Sequence, residues 1–573
     1  MSPPVATTVH SPIPGVVPIT PGTVRAKPCA VRSTPDSVRT TPGSVRTTVR
    51  GRIPIHTRIP IRTRIPIRTR IPIRTLRRDG ASWKLWLGAA GTFVLLLFVY
   101  LRTLAPTITW AHYGADGGDL VTAVARGSIP HPPGFPTYLL LGELFIRLPW
   151  GDPAWRLNVM SAVLAAGAAA LTALAVGPTS VSGSRSPRIG IRMHTDAVYP
   201  HWPFALCAGL SLGLSPLFWS QALIAEVYAT AACFAALVVT LALQRGPAWA
   251  LGLAWGIGTG AHPSLLLLAP VVAWGALGEG RGRPERLLRV ALLAFLGWGA
   301  MAGPGLLARR GAPSPWAEID TFAGWWALVS GRLYHGYVFG LPLAAWPRRF
   351  LAWAGVLVRQ FTPLGAGLAV LGWLHLWRER RSLAVVSAGA FGAFSLYAVG
   401  YDTADSLVYL VPALPLAALW LGRGLAHGCR HSDAAIPMAP LSAASDWMRE
   451  RLRVARWAIL LLPLLQALLF WGRMDLSEER TAMVWAEQTL REAPHRAVLI
   501  TAQDAHTFTL WYAHEVLGQR PDVVVVDRDL WAQEAYRRIS AEALGFHTVG
   551  DTLSPEDAAR QAGRSVVEVT ARE

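Results

Sequence analysis

The sequence predicts an all-α polytopic membrane protein, a bundle of about eleven helical spans with a small C-terminal α/β unit. Two observations predict this fold class. The chain is 52% hydrophobic and only 16% charged, with a mean hydropathy of +0.34. Apolar runs of about twenty residues, enough to cross a bilayer, recur over most of its length. The composition therefore excludes a set of soluble domains.

Residues 1–82 differ from the rest in composition and are predicted to form a disordered, basic, Pro-rich tail. A hexad, Arg-Ile-Pro-Ile-Arg-Thr, repeats from Arg58 to Thr75. Proline at every sixth position forbids a helix and disfavours a central strand. Three interpretations fit this segment. It is a solvated tail, a segment that binds anionic lipid headgroups, or sequence upstream of a mis-assigned start codon. It lacks the continuous apolar core of a cleavable signal peptide.

Residues 83–473 are predicted to form the transmembrane domain. The run 136–149 is apolar but short and carries Glu143 and Arg147, so we expect it to lie at the membrane interface. The predicted spans are 85–103, 157–177, 201–219, 222–243, 247–262, 263–278, 288–307, 360–377, 382–400, 406–426 and 455–472.

The arginines predict the orientation. If 136–149 does not cross, every short basic loop lies on the side of the N-terminal tail, and basic loops stay in the cytoplasm. These loops hold Arg185, Arg188, Arg192, Arg245, Arg281, Arg283, Arg286, Arg378, Arg380, Arg381, Arg430, Arg449, Arg451 and Arg453. The net charge of +19 is therefore a topology signal, and nucleic acid is not an expected partner. Arginine-rich, lysine-poor usage favours a bacterial inner membrane, with the acidic loops and the C-terminus outside.

Residues 474–573 are predicted to form a soluble, extracytoplasmic α/β region. Two short β runs, 497–501 and 523–527, flank a helical stretch around 510–517, and another helix is expected near 531–543. There is no Gly-rich phosphate loop, so a nucleotide site is not expected. The four cysteines show neither disulfide nor zinc spacing.

Two carboxylates stand just after the first span, in the run Gly114-Ala115-Asp116-Gly117-Gly118-Asp119-Leu120, and suggest chemistry at the membrane surface. This run and four later blocks resemble one family. The later blocks are Gly127–Tyr138, Trp155-Arg156-Leu157-Asn158, Ser215–Ala222 with Glu226-Val227-Tyr228, and Gln503–Phe508 with Trp511-Tyr512. The sequence resembles the membrane family catalogued as domain of unknown function 2723, which includes a eukaryotic transmembrane protein O-mannosyltransferase. The resemblance runs from about Thr107 to Trp531.

The resemblance implies a glycosyltransferase of the GT-C architecture, a helical bundle whose first extracytoplasmic loop carries an acidic residue. Such an enzyme moves a sugar, with mannose as a candidate, from a polyprenyl-phosphate carrier to an acceptor hydroxyl. Expected partners are the lipid-linked sugar donor, a protein or envelope glycan acceptor, and membrane lipids. The chain departs from the family pattern where Asp119 replaces a glutamate and where Gln503-Asp504-Ala505 replaces Gly-Asp-Asn.

The chemistry of transfer suggests roles for the first loop. A base must take the acceptor proton, and a positive or hydrogen-bonding group must stabilise the departing phosphate. Asp116 is the candidate base. If the turn is helical, its i,i+3 spacing puts Asp119 on the same side, where it tunes Asp116 or alternatively caps the next helix. His131, fixed among prolines, contacts phosphate or acceptor, or is a solvated turn residue.

Further candidates for substrate binding lie on the same predicted face. A charge such as Glu226 is costly in a span and marks a functional position, although it could instead lie at headgroup level or pair with Arg156. Arg156 is itself a candidate for substrate binding. His262 belongs either to the site or to a helix–helix turn. For the leaving phosphate, Arg359 is the favoured ligand, because arginine contacts phosphate in a bidentate manner. The alternative phosphate ligands, expected mostly to be interfacial anchors, are Arg309, Arg310, Arg348 and Arg349.

Asp402 and Tyr409 belong to a second polar turn predicted on that face. The turn also carries Asp405 and could contact sugar hydroxyls or a divalent cation. No metal ligands are assigned, because two acids without a histidine beside them are a weak metal signature.

Two other functions fit a polytopic bundle. A transporter or lipid flippase also places polar residues among spans, but the spans show no internal repeat and few deep charges. A non-catalytic scaffold in envelope assembly is the third hypothesis. An Asp116→Asn protein would keep its transport activity if it is a transporter, and would behave as the wild type in cells if it is a scaffold.

Overall fold

The computed structural model describes residues 80–177, 202–278, 283–309, 315–316, 318–434, 458–546 and 553–569 of the 573-residue chain. Nearly all of the predicted tail over 1–82 lies outside these ranges, as do the predicted cytoplasmic loops that hold Arg185 and Arg449. The described residues belong to one compact unit, Leu76–Glu573.

Helices dominate the described part of the chain. From the N-terminus they are α1 (Gly80–Thr103), α2 (Gly117–Arg126), α3 (Pro136–Phe145), α4 (Pro153–Val176), α5 (Trp202–Gly213), α6 (Pro216–Gln221), α7 (Val227–Leu243), α8 (Ala248–Thr259), α9 (Ala269–Leu277) and α10 (Pro284–Ala300). They continue with α11 (Phe322–Val329), α12 (Trp346–Glu379), α13 (Arg381–Gly400), α14 (Leu414–Ala434), α15 (Leu462–Met474), α16 (Thr481–Glu492), α17 (Asp504–Trp511), α18 (Glu534–Leu544) and α19 (Pro555–Gln561).

Six helices in the described ranges are long and apolar enough to cross a membrane. They are Trp83–Thr103, Pro153–Val176, Pro284–Gly305, Leu343–Glu379, Arg381–Gly400 and Ser406–Gly428. Three shorter apolar helices, Trp202–Gly213, Val227–Leu243 and Pro263–Leu277, fall on further predicted spans. Helix α3 has ten residues, too few to cross, in agreement with its exclusion from the predicted spans. The predicted class of polytopic helical membrane protein is confirmed.

The small C-terminal α/β unit is also confirmed. Its strands are β1 (Val498–Thr501), β2 (Val524–Asp527) and β3 (Val566–Glu568). They form a parallel sheet in the order β2-β1-β3, with Val498 opposite Val524. The sequence predicted β1 and β2 from their valine-rich runs, whereas the three-residue β3 was missed.

Helix α17 docks this unit onto the loop that follows α1. Trp110 donates a hydrogen bond from Nε1 to the carbonyl oxygen of Ala505 (3.1 Å) and to Oγ1 of Thr509 (2.9 Å). Gly118 in α2 lies so close to α17 that an added Cβ would overlap the carbonyl oxygen of Phe508. The C-terminal unit is therefore packed against the acidic loop.

A Gly118→Ala substitution is expected to separate α2 from α17. The new methyl group meets backbone, which cannot rotate away, so we expect a loss of about 1–3 kcal/mol in the free energy of unfolding. Thermal unfolding of the detergent-solubilised protein measures it. Gly389→Ala in α13 is the matched control, because a Cβ there contacts nothing within 4 Å. Equal stability of the two variants would contradict this close packing.

Candidate active site

The loop that follows α1 and carries Asp116 leads into α2 through a strained turn. The 3₁₀ turn Ala111–Asp116 contains His112 and Tyr113 with φ angles of 59° and 66°. Non-glycine residues rarely adopt this left-handed conformation, and such strain clusters at functional sites. The turn places Asp116 immediately before the first residue of α2, with Asp119 in the first turn of that helix.

His131 joins the two carboxylates. Both its backbone N–H and its Nδ1 lie within hydrogen-bond distance of Oδ2 of Asp119, at 2.8 and 2.7 Å. Its Nε2 lies 3.6 Å from Oδ2 of Asp116. Asp119 therefore holds the loop that carries His131, and its carboxylate is engaged there instead of capping α2. The two acids share one side of the helix turn, as their i,i+3 spacing predicts.

Electrostatics keep the histidine charged and make Asp116 a stronger base. Burial favours neutral His131, but Asp116 and the hydrogen bond to Asp119 outweigh it and raise the pKa of His131 to about 9. Burial also raises the pKa of Asp116, against the opposing charge of His131 and with help from Asp405 and Asp119. The Asp116 side chain still has 38% of its surface exposed, because it faces a cavity.

That cavity has a volume of about 320 Å³ and is both acidic and aromatic. Its lining, among the described residues, combines three aspartates, three histidines and six tyrosines, with neither lysine nor arginine. These residues are Asp116, Asp405, Asp504, His131, His262, His335, Tyr228, Tyr334, Tyr337, Tyr397, Tyr401 and Tyr409. Aromatic faces with nearby carboxylates suit a polar ligand that carries many hydroxyl groups.

Tyr409 stands at the centre of the aromatic wall. Its ring centroid lies 5.0 Å from that of Tyr401, 5.1 Å from Tyr397, 5.8 Å from Tyr228 and 5.6 Å from His262. The wall is therefore a continuous set of edge-to-face and tilted rings, an arrangement that aromatic pairs prefer.

Helix α17 of the C-terminal unit completes the cavity. Phe508 stacks on His131 with ring planes 8° apart and centroids 6.4 Å apart. Asp504 also lines the cavity, and burial together with the charge of Asp116 raises its pKa to about 6. Sequence reasoning did not assign Asp504 to the site. Its signal lay in the block Gln503–Phe508, which matched the family pattern without suggesting a role.

The structure brings five of the other predicted positions to or near this cavity in different ways. His262 and Tyr409 line it, and Nδ1 of His262 lies 2.8 Å from Oγ of Ser264. Glu226 is 1% exposed and precedes α7, two residues of which line the cavity. Its Oε1 has no hydrogen-bond partner among the described residues. Asp402 is exposed and lies outside the lining, whereas its neighbour Asp405 is part of it.

The predicted arginines lie elsewhere. Arg156 donates to the backbone carbonyls of Ile146 (2.6 Å) and Gly151 (3.1–3.2 Å), so it holds the loop before α4 and does not pair with Glu226. Arg359 is exposed on α12 and does not line the cavity. The roles assigned to both residues stay predictions.

Two other arginines hold backbone segments next to the site. Arg309 donates to the carbonyl oxygens of Ala123 (3.2 Å) and Ser128 (2.9 Å) and forms an ion pair with Glu143. It thereby ties α2 and α3 to the loop that carries His131. Arg349 donates to the carbonyl oxygens of Tyr401 and Thr403 and so holds the turn that carries Asp402 and Asp405. Both act on backbone instead of standing free for a phosphate.

The divalent cation considered for the turn with Asp402 and Asp405 has no assembled ligand set in the described part of the chain. No group of three or more histidine, cysteine, aspartate or glutamate side chains is placed there to hold a metal ion. Within the described lining, positive charge at the cavity comes from histidine, with His131 held protonated at neutral pH.

Comparison with known proteins gives a consistent picture. A family profile described as Protein O-mannosyl-transferase TMEM260 N-terminal domain matches residues 116–281, which begin at Asp116. The chain is similar to protein O-mannosyltransferases. The matched family supports this part of the predicted resemblance, although its description does not carry the name domain of unknown function 2723.

Two curated relatives have the same description. Protein O-mannosyl-transferase TMEM260 of Mus musculus is 26% identical over 518 residues, which cover 83% of this chain and 67% of the mouse protein. The Dictyostelium discoideum protein of that name is 24% identical over 152 residues, or 26% of this chain and 16% of its own length. Both relatives are eukaryotic.

Solved membrane glycosyltransferases align over most of the chain at low identity. ArnT from Cupriavidus metallidurans bound to undecaprenyl phosphate aligns with a TM-score of 0.45 and 13% identity, covering 79% of this chain and 91% of ArnT. The apo oligosaccharyltransferase of Archaeoglobus fulgidus aligns with a TM-score of 0.47 and 11% identity, covering 82% of this chain and 69% of the oligosaccharyltransferase.

Proposed function

We propose that this protein is an integral-membrane glycosyltransferase that moves a sugar from a polyprenyl-phosphate carrier to an acceptor hydroxyl. The observation that carries the proposal is the pair of Asp116 and protonated His131 at the edge of an aromatic, acidic cavity. Mannose as the sugar and a protein as the acceptor follow the description of the relatives. The cavity faces the extracytoplasmic side if the basic loops lie in the cytoplasm.

The proposed reaction is a direct displacement. Asp116 takes the proton of the acceptor hydroxyl as that oxygen forms a bond to the anomeric carbon. The bond from this carbon to the phosphate oxygen breaks, and polyprenyl phosphate leaves with the electron pair. His131, held protonated between Asp116 and Asp119, stabilises the developing phosphate charge. One displacement inverts the anomeric configuration, and the proton ends on Asp116.

Transfer of radiolabelled sugar to protein tests the proposal. Purified protein in detergent is supplied with polyprenyl-phosphate mannose, other polyprenyl-phosphate hexoses or the corresponding nucleotide sugars. We expect label in protein only with a lipid-linked donor. The outcome that contradicts the proposal is absence of donor consumption with every acceptor, in an assay where a known polyprenyl-phosphate-dependent transferase is active. That result would favour transport or scaffolding.

The transfer rate is expected to follow a bell-shaped pH profile. It rises on the acid side as Asp116, whose pKa is raised, loses its proton, and falls through about pH 9 as His131 loses its own.

The contribution of protonated His131 to the free energy of unfolding is lost over the same basic range of pH. Its folded pKa lies above the ordinary value of 6.5, so this contribution is complete below 6.5 and is lost through about pH 9.

Initial rates at saturating donor, measured across both limbs for wild type and a His131→Gln variant, check this profile. The basic limb should be absent from the variant, because glutamine does not titrate. A basic limb that persists unchanged would assign it to another group.

A further inference from the structure

A second cavity, of about 290 Å³, has Asp119 in its wall. The rest of its lining comes mainly from α2, β2, α18 and the turn after α17. The residues that matter are Arg126, Glu515, Val523, Val524, Val525 and Tyr536. Asp119 also bonds His131, which lines the first cavity, so this pair of side chains stands between the two cavities.

Strand β2 presents its edge to this second cavity. It is an outer strand of the sheet, whose order is β2-β1-β3. Side chains of successive strand residues point to opposite faces, so a lining that includes Val523, Val524 and Val525 in succession brings the backbone itself to the cavity. An outer strand whose edge lines a cavity is a template for a further strand.

The register shows which groups face outward. The amides of Val524 and Arg528 donate to the carbonyl oxygens of Ala497 and Thr501, on the β1 side. In a parallel ladder alternate residues face opposite neighbours, so Val525 and Asp527 face away from β1. Of these, Asp527 donates its amide to the hydroxyl of Tyr536 (2.7 Å), which caps the far end of the edge. The amide of Val525 points away from β1, in the stretch that lines the cavity.

We propose that the second cavity binds the acceptor as an extended polypeptide segment that pairs with the outer edge of β2. This inference rests on the proposed function and specifies its acceptor. Strand addition recognises main chain and tolerates varied side chains, and alternate side chains enter pockets on either face. Arg126 and Glu515, of opposite charge, stand in the cavity wall to contact those side chains.

The second cavity lies close to the base. Asp119, in its wall, lies 2.7 Å from His131, which lies 3.6 Å from Asp116. A segment bound in the second cavity is therefore held next to the residues proposed to act in transfer. A free oligosaccharide has no repeating amide to pair with a strand edge, which favours polypeptide.

The experiment fills the cavity and separately removes the pairing. Ala543 is exposed on α18 and lines the cavity, and an Ala543→Trp substitution fills it; Glu542→Trp, one residue earlier and outside the lining, is the matched control. Both full-length proteins in detergent receive the lipid donor and a synthetic alternating Thr-Val peptide. Wild type also receives this peptide N-methylated at alternate amides, and mannobiose as a glycan probe. Transfer is normalised to donor hydrolysis without acceptor.

We expect Ala543→Trp to raise the KM for the peptide about tenfold over Glu542→Trp, which corresponds to about 1.4 kcal/mol. Wild type should show a similar rise with the N-methylated peptide. Unchanged KM in either arm overturns the inference, and so does transfer to mannobiose without transfer to peptide. Failure of the proposed function is distinct, because the wild type would then consume no donor by transfer or hydrolysis.

Discussion

The Asp116→Asn protein is expected to fold normally and to transfer sugar with a kcat lower by about a hundredfold to ten-thousandfold. Asparagine matches aspartate in size but cannot take the acceptor proton. Burial opposes ionisation of Asp116 and raises its pKa, so the neutral amide is tolerated in its place, although the variant loses a negative charge that helps to keep His131 protonated. The measurement is single-turnover transfer from the lipid donor, with thermal unfolding as the check on folding.

Asp320→Asn is the matched control. Asp320 is exposed and lies outside the lining of the cavity. Its variant should transfer at the wild-type rate within about twofold, as is usual for surface substitutions. Equal rates for Asp116→Asn and wild type would remove Asp116 from the chemistry and favour a transporter or a scaffold.

The helices and two of the strands could be predicted because their signals are local. Apolar runs marked the long spans, and the valine-rich run at 523–527 marked β2. The predicted helix boundaries were coarser where short breaks interrupt an apolar run. The predicted span 201–219 contains Pro216, which starts a new helix, α6, since proline suits the first turn. The residues from Ala222 to Glu226 then separate α6 from α7.

The centre of the candidate site was predictable for a similar reason. Asp116 and Asp119 are three residues apart, so helical spacing was enough to place them on one side, whereas the contact of His131 with both, across the length of α2, was not predicted. Asp504 lies far along the chain and reaches the cavity only because Gly118 lets α17 approach α2. No periodicity in the sequence reports such a tertiary contact.

The arginines show where residue type alone misleads. A guanidinium donates equally well to phosphate and to backbone carbonyls. Arg309 and Arg349 are both bound to carbonyls that brace loops of the site. Their sequence neighbourhoods, beside predicted spans, could not distinguish this bracing from the phosphate or anchor roles considered for them.

A His131→Gln substitution is expected to lower both stability and transfer. The His131 side chain is 10% exposed and that of Asp119 is 4% exposed. Removing the histidine charge leaves a buried carboxylate without its partner, which costs about 3–5 kcal/mol in the free energy of unfolding. The same substitution removes the positive charge next to the departing phosphate, so kcat should fall by about a hundredfold or more.

Chemical unfolding and single-turnover transfer of His131→Gln, Asp119→Asn and the double variant check this coupling. The double variant carries neither charge, so it should be more stable than the sum of the single losses predicts, by at least about 1 kcal/mol. Its transfer should remain as slow as that of His131→Gln, because restored packing does not restore the charge at the phosphate. Additive losses of stability would show that the two side chains act independently, and recovery of transfer in the double variant would limit His131 to a structural role.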